Sequence, residues 1–217
     1  MRKPTRGVLA MSIALSISHD PTTGMTNALL LGCSDTQQLF VLEQLKTLAR
    51  LTHHPLLLPI LLSVHQQQLL SREKHRLWVS LLQVETASGQ TGAPAEGSYP
   101  SPDNSKDYDQ ITRDVLGVIQ VSSAWESRTK ELLLGLEAIE ENMKHIDKLI
   151  AQPKRIILED AENVFSEWLQ YTTHKSGTLL CEFQYIEKRA QAQMTAVIFK
   201  KLFCFHSLTD SGRYITT

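Results

Sequence analysis

Residues Glu131–Ile150 read ELLLGLEAIEENMKHIDKLI, and their apolar positions decide the fold. Leu132, Leu136, Ile139, Met143, Ile146 and Ile150 follow one another at intervals of 4, 3, 4, 3 and 4 residues. A helix repeats every 3.6 residues, so this alternation keeps one apolar stripe on one face, the a/d seam of a coiled coil. Glu140 and Lys144 sit four apart outside the seam, acid first, the order that favours an intrahelical ion pair. Trp125 leads into the seam, and Ile111, Val115 and Val118 extend it backward. The stretch predicts a long helix that needs a partner along its length, in an antiparallel hairpin or a coiled coil.

The partner follows directly. Pro153 with Lys154 and Arg155 is expected to break or turn the chain, and a second helix restarts around LEDAENVFSEWLQ. There Glu159, Asp160 and Glu162 complement the positive end of a helix dipole. Val164, Phe165, Trp168, Leu169, Leu180, Phe183, Ile186, Ala190, Met194 and Val197 continue its apolar face. Thr172, Thr173 and Gly177 are expected to weaken it locally. Two long helices joined by a short turn lie side by side.

Before the seam the chain changes character twice. Thr86–Asp107, TASGQTGAPAEGSYPSPDNSKD, is rich in Gly, Pro, Ser and Asp and reads as a flexible linker. Upstream, Pro55 suits a helix start, and the helix it opens is expected to run to about Glu85. Its apolar face is Leu61, Leu62, Val64, Leu69, Leu70, Leu77, Trp78, Leu81 and Leu82. Ser34-Asp35-Thr36-Gln37 matches a capping box, opening a shorter helix that ends near His53-His54. Residues 8–18 and 25–32 read as two strands around HDPTTG, His19–Gly24, where Asp20, Pro21 and Gly24 supply turn chemistry. Ser12, Ser16 and Ser18 alternate with Ile13, Leu15 and Ile17, the period of a half-buried strand. Arg2, Lys3 and Arg6 before an apolar stretch also resemble a secretory signal, so residues 1–18 acting as a signal peptide, with secretion, is the alternative reading.

The fold class expected is mainly α, with α+β character from an N-terminal β-hairpin or small sheet element followed by long antiparallel helices and a stalk-like hairpin. The layout is a strand pair plus helical region over 1–85, a linker over 86–107, a helical hairpin over 108–198 and an aberrant tail over 199–217.

Composition narrows the function classes. Over 217 residues the net charge is −1, which leaves no overall electrostatic footprint for nucleic acid. Cys33, Cys181 and Cys204 form neither a Cys-x-x-Cys pair nor a disulfide framework, and a reducing cytoplasm follows. The best apolar run, LLLPILL from Leu56 to Leu62, is short and interrupted by Pro59, so no membrane span is expected.

Chemistry-bearing constellations are weak. Adjacent His53 and His54 face different directions on a helix and mark a junction rather than a metal site. Glu141 and His145 share a helix face without a third ligand, and Cys204 and His206 pair in a tail that looks unstructured. Asp103, Asp107 and Asp109 read as solubilising. Trp78, Trp125 and Trp168 fall at core spacing and read as packing anchors. No Gly-x-Ser-x-Gly, phosphate loop or Gly-x-Gly-x-x-Gly occurs. No catalytic residue, cofactor or small-molecule substrate is assigned, the metal ligands are unknown, and an enzyme is not expected.

Two stretches carry a family resemblance. THHPLLLPILLSVHQQQLLSREKHRLW, Thr52–Trp78, followed by a linker and paired long helices, resembles the cytosolic region of fungal CorA-like magnesium transporter homologues. Tyr185–Val197, YIEKRAQAQMTAV, is similar to a pattern on their later helix, and SISHDPTTG and LLGCSDTQ fit their N-terminal layout. The resemblance covers about Ser12 to Val197. It implies a cytosolic domain whose last helix is a stalk entering a membrane span, a Gly-Met-Asn signature at the pore mouth, and a pentamer passing divalent cations. After Val197 the chain reads IFKKLFCFHSLTDSGRYITT, with neither span nor signature, and Gly24-Met25-Thr26-Asn27 lies in the hairpin region instead. No pore residue carries over. The expectation is a cytoplasmic fragment, truncated before the membrane helices and inactive in transport alone, its C-terminus either a real product or a gene-model error. The alternative is a coiled-coil interaction or scaffold protein. The partner expected is a second copy or a full-length relative, met through helices 125–150 and 159–198, or in the scaffold reading an unrelated helix, with no nucleic acid.

Overall fold

The computed structural model describes residues 13–20, 22–89, 107–149 and 152–211, with side chains described outside 147–159 and 203–211. The fold is mostly helical, with an N-terminal two-stranded antiparallel sheet followed by long helices that pack against one another. Strands β1 (Ala14–Asp20) and β2 (Met25–Leu31) pair from Ala14↔Leu31 to Asp20↔Met25 without a bulge. Helices α1 (Asp35–Thr47), α2 (Leu57–Ser88), α3 (Tyr108–Leu149) and α4 (Gln152–Ser211) follow, with a 3₁₀ turn at Ala49–Leu51.

The hairpin closes later than the sequence suggests. His19 and Asp20 belong to β1, and residues 8–12 of the expected strand lie outside the described residues. His19 Nδ1 meets Thr26 Oγ1 at 2.9 Å across the ladder, which holds the pairing up to the turn. From the last strand position Asp20 organises that turn. Its carboxylate accepts from Thr22 Oγ1 at 2.6 Å, Thr23 Oγ1 at 2.8 Å and the Thr22 N–H at 2.8 Å. These donors, the Thr22 hydroxyl foremost, hold the acid well below the usual carboxylate range. Gly24 takes φ 75°, a conformation that favours glycine.

The expected helix boundaries also shift, each for a local reason. The capping box opens α1, with Gln37 Oε1 accepting from the Ser34 N–H at 2.9 Å. The helix stops at Thr47, well short of His53-His54, because the chain tightens into the 3₁₀ turn. His54 then starts α2: its Nδ1 accepts from the Leu56 N–H at 3.1 Å, satisfying an N–H that a helix start leaves open. Asp107 caps α3 through Oδ1, which accepts from the N–H groups of Asp109 at 3.1 Å and Gln110 at 3.0 Å. Pro153 does not delay α4 to Glu159. It is the second residue of the helix, in the first turn where proline is tolerated. Nor does the helix end at 199, since no proline or glycine interrupts 198–211 and the backbone stays helical to Ser211.

Each long helix carries a heptad seam, and all three seams include polar residues. On α3 the buried positions are Ile111, Val115, Val118, Ser122, Trp125, Thr129, Leu132 and Leu136, alternating by 4 and 3. On α4, from Leu169 onward, they are Leu169, Thr172, Ser176, Leu179, Phe183, Ile186, Ala190, Gln193 and Val197. On α2, Ile60, Ser63, Gln67, Leu70, Leu77, Leu81, Val84 and Ser88 keep the same spacing if the half-buried Lys74 is counted. Leu179 rather than Leu180 is the buried residue of its turn, because Thr172 and Ser176 carry the phase through the stretch expected to be weak.

The described residues divide at 66/67, 132/133 and 174/175 into two compact units. The first holds the hairpin, α1, the start of α2, the end of α3 and the start of α4. Its core includes Leu57, Ile60, Leu61, Ala161 and Phe165, with the His54 ring edge-on to Phe165 at 4.8 Å. The second holds the rest of the three long helices. As α3 advances from Asp109 to Ser122 and Glu126, its partners on α4 retreat from Lys201 to Phe183 and Gln184, so the two helices are antiparallel. Partners on α2 and α4 advance together, from Lys74 with Glu182 to Ser88 with Gln193, so these helices are parallel.

Two substitutions test this packing. Phe183 is fully buried, and Phe183→Ala should lower unfolding free energy by about 3–5 kcal/mol in a denaturant titration. Gly135 on α3 has open space where a Cβ would stand, so Gly135→Ala should instead raise stability by about 0.5–1 kcal/mol.

Candidate functional site

A cluster of interacting polar and aromatic side chains lies between α2 and α4 of the second unit. Glu85 stands beside the seam residue Val84, and Arg189 beside the seam residue Ala190. Parallel helices bring the two together. Arg189 Nε and Nη2 donate to Glu85 Oε1 and Oε2 at 2.5 and 2.8 Å, a two-pronged contact that fits the planar guanidinium. The Glu85 side chain is 1 % exposed, whereas that of Arg189 is 31 % exposed. The carboxylate beside it pushes the guanidinium further up its already high range, with a smaller contribution from Tyr185. Arg189 also lies over the Trp78 ring, 5.1 Å from its centroid, and Tyr185 stacks near Trp78 at 6.1 Å and 23°.

Alongside this cluster runs a groove of about 440 Å³, lined by Lys74, His75, Trp78, Cys181, Glu182 and Tyr185 among others. Lys74 is the charge on the α2 seam. Its ammonium leaves the apolar stripe to meet Glu182 Oε1 at 2.9 Å, and the missing apolar contact leaves the groove. A single charge at such a position fixes helix register at some expense of stability. Farther along, Lys200 Nζ donates to the Ser88 carbonyl at 2.9 Å and Lys201 pairs with Asp109 at 2.6 Å. Adjacent lysines of α4 thus hold the C-terminus of α2 and the first turn of α3.

Among the described residues, those singled out from the sequence are not brought together at one place. Glu141 and His145 are both exposed on α3, and among the described residues no group of three His, Cys, Asp or Glu side chains could hold a metal ion. His54 is a buried helix-start residue, while Asp107 caps α3 and Asp109 is drawn below its usual range by Lys201, so neither acid is merely solubilising. Asp103 and the side chains of Cys204 and His206 lie outside the described residues. Cys33 and Cys181 are free thiols, and burial pushes the Cys33 thiol up. Trp125 is buried and Trp168 packs near Phe165, but Trp78 is half-buried and serves Arg189 as a platform. Sequence reading missed Glu85 because an acid near a helix end looks like a boundary. The available signal was its place next to the heptad position Val84, on a helix whose seam carries Lys74 as its charge.

No protein-family model matches the sequence, and no curated protein or solved structure is found similar to it. Among the described residues, no helix is long and apolar enough to cross a membrane.

Two outcomes follow from the charges. Arg189→Met leaves Glu85 buried without its cation and should lower stability by about 3 kcal/mol, while Glu85→Leu with Arg189→Met should recover much of that in the same melts. Glu126 is held below its ordinary value of 4.5 by Lys130 first and Gln184 second. Its folded value is the lower one, so its contribution is present above pH 4.5 and is lost as the pH falls through the folded value. Melting temperatures below pH 4.5 should fall less steeply for Glu126→Gln than for the parent chain.

Proposed function

We propose that this chain is the counterpart of the cytosolic helical region of CorA-like divalent-cation transporters, magnesium being the cation of that family, and that it does not transport ions alone. The observation that carries the reading is the setting of Tyr185–Val197. That stretch lies inside one unbroken helix, Gln152–Ser211, with Ile186, Ala190, Gln193 and Val197 on its buried seam and Arg189 locked to Glu85. A stalk requires a helix that resists bending and keeps a fixed register with its neighbours, and these contacts supply both. In this reading the protein works in the cytoplasm, beside a membrane, with further copies or a full-length relative as its partner.

A second reading is a coiled-coil interaction or scaffold protein. Ile139, Met143 and Ile146 keep the heptad spacing in the first unit, yet each is only half-buried. A groove of about 420 Å³ lies beside them, lined in part by Met143, Lys144, Leu169 and His174. An uncovered seam of this kind suits a partner helix.

Magnesium uptake in a transporter-deficient strain separates the two. The chain alone should give no uptake. Fused ahead of the membrane spans of a CorA-type transporter in place of that protein's own cytosolic region, it should support uptake. A fusion that reaches the membrane intact and conducts nothing counts against the transporter reading and leaves the scaffold reading standing.

A further inference from the structure

We propose that β2 is the site of self-association: two copies of this chain pair β2 against β2 about a two-fold axis, making a four-stranded antiparallel sheet in the order β1–β2–β2–β1. The inference stands on the hairpin alone and would hold for a chain unrelated to CorA-like proteins.

The two strands are built differently. On β1 the outward residues Ala14, Ser16, Ser18 and Asp20 are exposed and mostly polar, while Leu15, Ile17 and His19 are half-buried. That is the alternation of a strand with one wet face and one packed face. On β2 both faces are apolar. Thr26 and Leu30 are half-buried, whereas Met25, Leu29 and Leu31 on the opposite face are 61, 58 and 56 % exposed. Ala28-Leu29-Leu30-Leu31, ended by Gly32 at φ 80°, has the continuous apolar character of a strand covered on both sides.

The free edge of β2 is equally unprotected. A strand at the edge of a monomer is commonly blunted by lysine, proline or a bulge. Met25–Leu31 contains no proline and no charge, and its seven pairs with β1 run without a bulge. Two strands alone make a sheet of marginal stability, which packing on a helix or a further strand relieves. No third strand occurs among the described residues.

A second copy fits this edge better than a strand of other composition. β2 is uncharged, so antiparallel self-pairing sets no like charges opposite each other. With the axis near Ala28, Met25 of each copy faces Leu31 of the other and Leu29 faces Asn27. All four positions share the outer face of the strand, so the pairing extends one apolar strip across both copies. The polar β1 strands become the outer edges of the joined sheet. A two-fold contact is self-complementary and closes at two chains, so it does not propagate into fibres.

The test uses the full chain in sedimentation and light-scattering measurements over a concentration series. The parent should reach twice the 24.5 kDa chain mass, with Leu29→Lys weakening association at least about tenfold. Ser16→Lys, on the same face of β1 but away from the edge of β2, should leave the mass unchanged. Leu29 is exposed, so Leu29→Lys should keep the parent's helical signal and melting temperature. Ala28→Cys, at the axis, should form a covalent dimer on mild oxidation that the parent, with its native cysteines, does not form. A parent that stays monomeric at every concentration overturns the proposal. So does a dimer insensitive to Leu29→Lys, which would place association on the helices instead.

Discussion

A carboxylate that is 1 % exposed must keep its cation, and Glu85 has one partner that meets it with two donors, Arg189. Sliding α4 by one turn along α2 would carry the guanidinium about 5.4 Å away and leave an uncompensated charge inside the bundle. The pair therefore fixes register more than it adds net stability. Lys74 with Glu182 and Ser88 with Gln193 lie on either side of it and agree with the same register. Once α2 and α4 are locked in parallel, α3 has one groove left to fill in the second unit, and it fills it in the opposite direction.

Hydroxyls on the seams have a related role. Ser122 donates to the Phe183 carbonyl at 2.8 Å, a bond from α3 to the backbone of α4 at a fully buried position. Thr129 turns its hydroxyl back to the Trp125 carbonyl of its own helix at 2.7 Å. The first bond joins two helices at one register. The second merely satisfies a buried hydroxyl, and small side chains at both places let the helices approach closely.

What was legible in the sequence was whatever repeated in apolar residues. Leu132, Leu136, Ile139, Met143 and Ile146 announced α3, yet its better-buried half lies upstream, where Ser122 and Thr129 interrupt the apolar count. The same polar interruption at Thr172 and Ser176 moved the expected face of α4 from Leu179 to Leu180. Hydrophobicity identifies a seam only while the seam is hydrophobic, whereas a 4–3 spacing allowed to include Ser, Thr, Gln and Lys74 recovers all three. Helix ends were less legible still, because they depend on side chains bonding to backbone. His54, Asp107 and Thr47 each act through one or two such bonds, and composition does not encode those bonds. Glu85 and Arg189 lie 104 residues apart, and only the folded register makes them partners.

Register by polar contact also explains why the long helices carry polar residues among the apolar ones of their seams. In a seam of leucines alone, many offsets bury similar area and differ little in energy. With Lys74, Gln67, Gln193 and several hydroxyls distributed along the seams and the Glu85 carboxylate beside them, a shifted offset leaves polar groups unmatched. The hairpin has polar contacts of this kind only beside its turn, where His19 meets Thr26. β2 presents apolar side chains on both faces and no charge along its length, so its register with β1 is set at the turn end, by Asp20 and by His19 with Thr26. The helices thus specify their partners inside the chain by polar contacts, whereas the outer edge of β2 imposes a condition of hydrogen bonding and apolar cover that the described part of the chain does not meet.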